Sequence, residues 1–194
     1  MEERIRLAEF VSANPYMPEG GWRQELEAGV VRTLPPPSPD MAWRAMTVSS
    51  ALAACLRRSK LPGRISTGTG IGVEAPEGDH FRLADVVLSL PDKSGRRQEP
   101  AVVCLVVPDA DAPDADAAAR LAVFRRCRTV RDMLAFSAAS PVCRVERRVG
   151  GSWSEPERVE GFDAAVRLMS LSGSVLLASA YSDLAGPEPD EAEG

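Results

Sequence analysis

Apolar positions along this chain follow two rhythms, and the switch from one to the other marks the elements. Residues 5–12 have helical spacing and predict a short amphipathic helix, followed by a loop built on Asn-Pro-Tyr and Pro-Glu-Gly-Gly. Residues 22–34 alternate and predict a hairpin turning near Glu27-Ala28-Gly29. The Pro-rich stretch from Pro35 to Asp40 reads as a stiff connector, with Asp40 placed to cap the next helix. From Met41 the stripe Met41, Ala45, Val48, Leu52, Cys55 predicts that helix, which Leu61-Pro62-Gly63 ends. Period two returns over 64–74, where Gly68, Gly70 and Gly72 leave one strand face bare, a pattern that suits close packing better than a nucleotide loop.

Two short Val- and Leu-rich runs, 81–90 and 101–107, predict strands buried on both faces. A helix ending near Cys127, capped by Asp114 or Asp116, carries the stripe Ala117, Leu121, Phe124, with Arg120 at its edge. Strands over 133–137 and 142–149, a Gly150-Gly151 hairpin into 153–159, and an apolar segment from Leu168 to Leu177 complete the pattern. The expected fold class is α/β (α+β) with a mixed sheet flanked by helices, as one domain over 1–185 and a disordered acidic tail over 186–194.

Composition narrows the function classes. The four cysteines are scattered without a CxxC pair and the single histidine, His80, lacks an evident partner. Zinc, a disulfide framework and a histidine triad are therefore disfavoured, and a reduced cytoplasmic setting is expected. No apolar run is long enough to span a membrane. Net charge is −5, with six acids against three bases in residues 1–30, and five acids without a base in 183–194. The middle of the chain is then mildly basic, with its densest cluster at Arg125, Arg126, Arg128 and Arg131, and Arg144, Arg147 and Arg148 beyond. Solvated faces and a phosphate-contacting surface both fit those arginines.

One residue breaks the apolar pattern. Asp85 lies inside a strand that otherwise reads as fully buried. An unpaired carboxylate there would cost several kcal/mol, so a cation, a metal or strong donors must stand beside it. The Asp-rich loop 108–116 lacks the glycine and terminal glutamate of a calcium loop and reads as a solvated loop with a helix cap.

The succession of Gln24-Glu25-Leu26-Glu27-Ala28-Gly29-Val30-Val31, the Pro-rich connector, Gly-Thr-Gly-Ile-Gly-Val, Leu83-Ala84-Asp85-Val86-Val87, Val102-Val103-Cys104-Leu105-Val106-Val107-Pro108, Arg120-Leu121-Ala122-Val123-Phe124 and Gly161-Phe162-Asp163-Ala164 resembles the Uma-two family of restriction-endonuclease-like proteins. That resemblance runs from about Ile5 to Leu184 and implies the PD-(D/E)xK nuclease superfamily. It implies a site in which Mg²⁺ or Mn²⁺, held by carboxylates, activates water against a DNA phosphodiester. Glu25 and Asp85 match the first two acidic positions and would be the metal ligands. Cys104 stands where the family has glutamate and Arg120 where it has lysine. Ala84 replaces the proline before the aspartate, and Met41 a histidine that often opens the first helix.

A thiol is a poor ligand for Mg²⁺ and an arginine cannot act as a base, so weakened or absent hydrolysis is expected, with Asp109 or Asp111 as candidate replacement ligands. The implied alternative is a catalytically dead DNA-binding or protein-interaction module on the same fold. The resemblance leaves a homodimer open.

Overall fold

The structure is a computed structural model, in which residues 4–13 and 23–184 are described. The expected loop at Asn14 to Gly21, the first residue of the predicted hairpin and the acidic tail lie outside those residues.

The chain builds α1 (Leu7–Ala13), β1 (Arg23–Glu27), β2 (Val30–Leu34), α2 (Pro39–Ser59), β3 (Arg64–Val73), β4 (His80–Pro91), β5 (Gln98–Val107), α3 (Ala115–Arg126), β6 (Asp132–Ser137), β7 (Val142–Val149), β8 (Ser152–Trp153), β9 (Glu157–Glu160), β10 (Ala165–Leu168), β11 (Gly173–Leu176) and α4 (Leu177–Ala180). Nine strands form one mixed sheet, ordered β2-β1-β4-β5-β6-β7-β8, with β3 paired to β4 and β9 to β7. Only β5 and β6 run parallel, and α3 is the crossover that joins them. The fold class expected from the sequence is the one observed.

Each face of the sheet carries its own core. On one side Val48, Leu52 and Cys55 of α2 pack on Val86, Val102, Cys104, Leu134 and Phe136, and the β10–β11 ribbon and α4 close that layer. On the other, Ala117, Leu121 and Phe124 of α3 pack on Val87, Val103, Leu105 and Met133. Alternate residues of β5 enter opposite cores, which is why its sequence shows no polar face. No helix among the described residues is long and apolar enough to cross a membrane.

Several local expectations change. The α2 cap is Ser38, whose hydroxyl accepts from Met41 N at 3.3 Å, and Asp40 instead lies in the first turn. Pro39 takes the first helical position, where proline is accepted, so the helix begins before Asp40 and the cap falls to Ser38. Helix α1 starts two residues later than the spacing suggested, where Asp79 Oδ2 accepts from Leu7 N. The strand expected over 153–159 is two strands, β8 and β9, with Pro156 between them. The apolar run near 168–177 is a hairpin and a short helix rather than one segment. Of the two proposed caps for α3, Asp114 serves, accepting from Ala117 N at 2.8 Å. The bare glycine face of β3 is filled by neighbours at Gly70 and Gly72, while Gly68 is open. A Cβ at Gly70 would fall 1.8 Å from Phe81 Cζ, and one at Gly72 would fall 2.8 Å from Leu7 Cδ2.

Candidate functional site

A fork in the sheet makes the site. Strand β3 occupies one edge of β4 along nearly its whole length, so β1 and β5 must share the other edge. Strand β1 touches it only at Leu26 opposite Phe81, and β5 begins to pair at Val86 opposite Cys104. Residues 82–85 therefore lack a strand on that edge. Backbone donors on both sides of the gap, in β4 and at the end of β5, need other acceptors, and two carboxylates supply them. Glu25 Oε1 accepts from Leu83 N at 2.8 Å, and Asp85 Oδ2 accepts from Val106 N at 2.8 Å.

Arginines take most of the remaining carboxylate oxygens. Glu25 is fully buried, and its Oε2 accepts from Arg82 Nη1 at 2.7 Å. Arg120 stands between the two acids. Its Nε lies 3.5 Å from Glu25 Oε1, its Nη2 lies 2.7 Å from Asp116 Oδ2, and its charge reaches Asp85. Arg23 Nη1 lies 3.8 Å from Asp85 Oδ1. Arg82 Nη2 also reaches Glu27 Oε1 at 3.4 Å, and Glu27 pairs in turn with Arg32. The result is a chain of alternating charge rather than a cluster of acids.

A cavity of about 80 Å³ opens here, lined by Arg23, Met41, Asp85, Asp114, Asp116 and Arg120, with the end of β5 as its floor. Burial pushes the Asp85 carboxyl above its ordinary pKa, against the opposing pull of Val106 N–H, Arg120 and Arg23. Two of its neighbours carry buried donors without a hydrogen-bond partner among the described residues, Arg23 Nε and Arg120 Nε.

The four residues expected in the site are only partly brought together. Asp85 and Arg120 line the cavity, and Glu25 lies behind Arg120. Cys104 belongs to the α2-side core, wholly buried among Val86, Leu134 and Cys143. Burial raises its thiol pKa well above the usual value, and the nearby Cys143 and Asp85 add to the rise, so it is protonated at neutral pH. Neither proposed substitute reaches the cavity. Asp109 Oδ1 accepts from Asp111 N, and Asp111 pairs with Arg144 and Arg158 on β7 and β9.

These residues do not fit a divalent cation. Among the described residues no three His, Cys, Asp or Glu side chains are grouped so that they could hold a metal ion. Mg²⁺ requires several oxygen ligands in near-octahedral order. Here each oxygen of Glu25 is engaged by a protein donor, the thiol is buried in the α2-side core, and Arg23 stands 3.8 Å from the second oxygen of Asp85 while the charge of Arg120 also acts on that carboxyl.

Of the partners of Asp85 and Glu25, the sequence singles out Arg120 alone; Arg82 and Arg23 emerge only from the strand pairing that brings them to the two acids. Most of the basic cluster is tied internally. Arg125 pairs with Glu146, Arg126 with Glu77 and Arg147 with Glu157, while Arg148 donates to the carbonyls of Val130, Arg125 and Cys127. His80 holds the β1–β2 turn, its Nδ1 accepting from Ala28 N at 3.4 Å, and burial lowers its pKa.

Among solved structures, the chain is similar to one described as "a putative nuclease belonging to DUF820" from Anabaena variabilis, with a TM-score of 0.66 over 92% of this chain and 98% of that one, at 15% identity. At that identity the likeness is one of fold. No family model and no curated protein matches the sequence.

Proposed function

We propose that this protein is a restriction-endonuclease-like protein of the PD-(D/E)xK class that contacts DNA but has lost efficient Mg²⁺- or Mn²⁺-dependent hydrolysis of it. The fold likeness supports a nuclease-like fold, and the sequence resemblance supports the class. The observation that carries the loss is the occupation of Glu25, whose two oxygens are engaged by Arg82 Nη1 and Leu83 N, with Arg120 beside it. In this reading Arg120 and Arg82 supply the positive charge at the fork that a cation supplies in an active relative. Asp85 serves as an acceptor that ties β4 to the end of β5.

The test is a nicking assay on supercoiled plasmid with Mg²⁺ or Mn²⁺, beside a DNA retention series in rising salt. The expected result is intact plasmid together with salt-sensitive retention. Retention should fall when Arg128 and Arg131 are changed to alanine, because both are exposed and neither has an ion-pair partner among the described residues. Metal-dependent nicking that disappears in Asp85→Ala would overturn the loss of hydrolysis. Failure to retain DNA even at low salt would overturn the DNA contact.

A further inference from the structure

Helix α2 is the longest element on the surface, and its outer side is chemically unusual. Between residues 41 and 56 the only charged side chain is Arg44, and Arg44 is buried, held by Asp183 and stacked 4.0 Å from the centre of the Tyr181 ring. Four helical turns therefore face solvent without a single exposed charge, where an ordinary surface helix carries charged residues on its outer side. The residues presented there include Trp43 at 50% and Met46 at 52% exposure, then Ser50, then the small Ala53 and Ala54. Charge returns only at the ends, as Asp40 in the first turn and as Arg57, Arg58 and Lys60 at the last.

We propose that this face of α2 is the surface through which two copies of the chain associate, helix against helix and antiparallel, about a two-fold axis beside Ser50. The helix is complementary to its own reversed copy. Trp43 lies seven residues before Ser50 and Arg57 seven after it, so reversal sets the indole of one copy against the guanidinium of the other, twice. Met46 and Ala54 lie four residues before and after the same point, so each large side chain meets a small one. Asp40 of each copy then lies beside the basic final turn of the other, and the two helix dipoles oppose. A parallel arrangement would stack tryptophan on tryptophan and base on base. A second copy is thus the occupant that the order of large, small, acidic and basic positions fits. Asp183, which Arg44 and Trp43 both engage, braces the wide end of the stripe.

Analytical ultracentrifugation of the whole chain should give a species of twice 20.8 kDa. Trp43→Glu should weaken association by about thirtyfold or more, as expected of an aromatic anchor used twice in the interface, and should leave the circular dichroism unchanged. Position is tested separately. Residues on the axis of two close-packed helices have Cα atoms near disulfide range. In a chain with the partly exposed Cys127 changed to serine, Ser50→Cys should oxidise to a covalent dimer faster than a Ser94→Cys control in the β4–β5 turn. A monomer at the highest attainable concentration would overturn the proposal. So would a dimer that Trp43→Glu leaves intact, or one in which position 50 cross-links no faster than position 94. None of these outcomes depends on whether the protein contacts DNA.

Discussion

Two aspartates in this sheet have opposite surroundings. Asp132, at the start of β6, is fully buried and forms no ion pair among the described residues. Its Oδ1 accepts from Met169 N, and its Oδ2 accepts from Ser170 N and the Ser170 hydroxyl, so it fastens the β10–β11 ribbon to the sheet. Asp85 is almost as deep, yet it has one backbone donor, one guanidinium at 3.8 Å, and an oxygen turned toward a cavity. A carboxylate surrounded by fitted donors is a structural rivet. One left half-partnered at a fork, beside a cavity, keeps an oxygen that no fitted donor holds.

The sharpest way to test this contrast is to place a carboxylate where it would have no donors. Cys104→Glu restores the family residue but sets it among Val86, Leu134 and Cys143. Stability in urea should fall by about 4 kcal/mol or more, without any gain of nicking, even when combined with Arg120→Lys. Folded protein that cleaves plasmid would show that the thiol position faces the site after all.

Asp132→Ala should follow, with a loss of roughly 3 kcal/mol, because two backbone N–H groups are left buried without an acceptor. Unfolding followed by denaturant should show a lower midpoint at unchanged slope. An effect smaller than that of Asp85→Asn would break the comparison.

Asp85→Asn should change stability at neutral pH by no more than about 1 kcal/mol, in the stabilising direction, because the amide keeps an acceptor for Val106 N and escapes the desolvation of a charge. The pH dependence has a defined sign. The folded pKa of Asp85 is raised, so the folded state holds its proton more tightly than the unfolded chain. Wild-type stability relative to Asp85→Asn is therefore greatest at low pH and falls as pH rises from the ordinary carboxylate range through the raised value. Paired unfolding curves across that range should show the gap widening toward neutral pH. A gap that narrows would mean that the arginines, not burial, dominate at Asp85.

Much of the architecture was legible along the chain because it depends on local periodicity. The α2 and α3 stripes, the two-sided burial of β4 and β5, and the anomaly of Asp85 all follow from residue order. Element ends were less so. Ser38 displaced Asp40 as cap because Pro39 between them was accepted as the first helical residue, and Pro156 split the run expected over 153–159 into two strands. The arginine cluster was the least legible feature. Whether Arg125 or Arg148 faces a phosphate or a neighbouring Glu146 or carbonyl depends on which strand lies opposite.

Residue order alone determined that this chain makes a mixed sheet between helices, and that one carboxylate would be carried into its interior. Tertiary structure decided what that carboxylate meets. The fork between β1 and β5 brings Arg23, Arg82 and Arg120 from three distant segments to two acids, and it leaves Cys104 in the other core. Alternation along a strand fixes how side chains are divided between the two faces, but contacts between segments arise only when the sheet is assembled, where one residue of register moves a side chain from one core to the other.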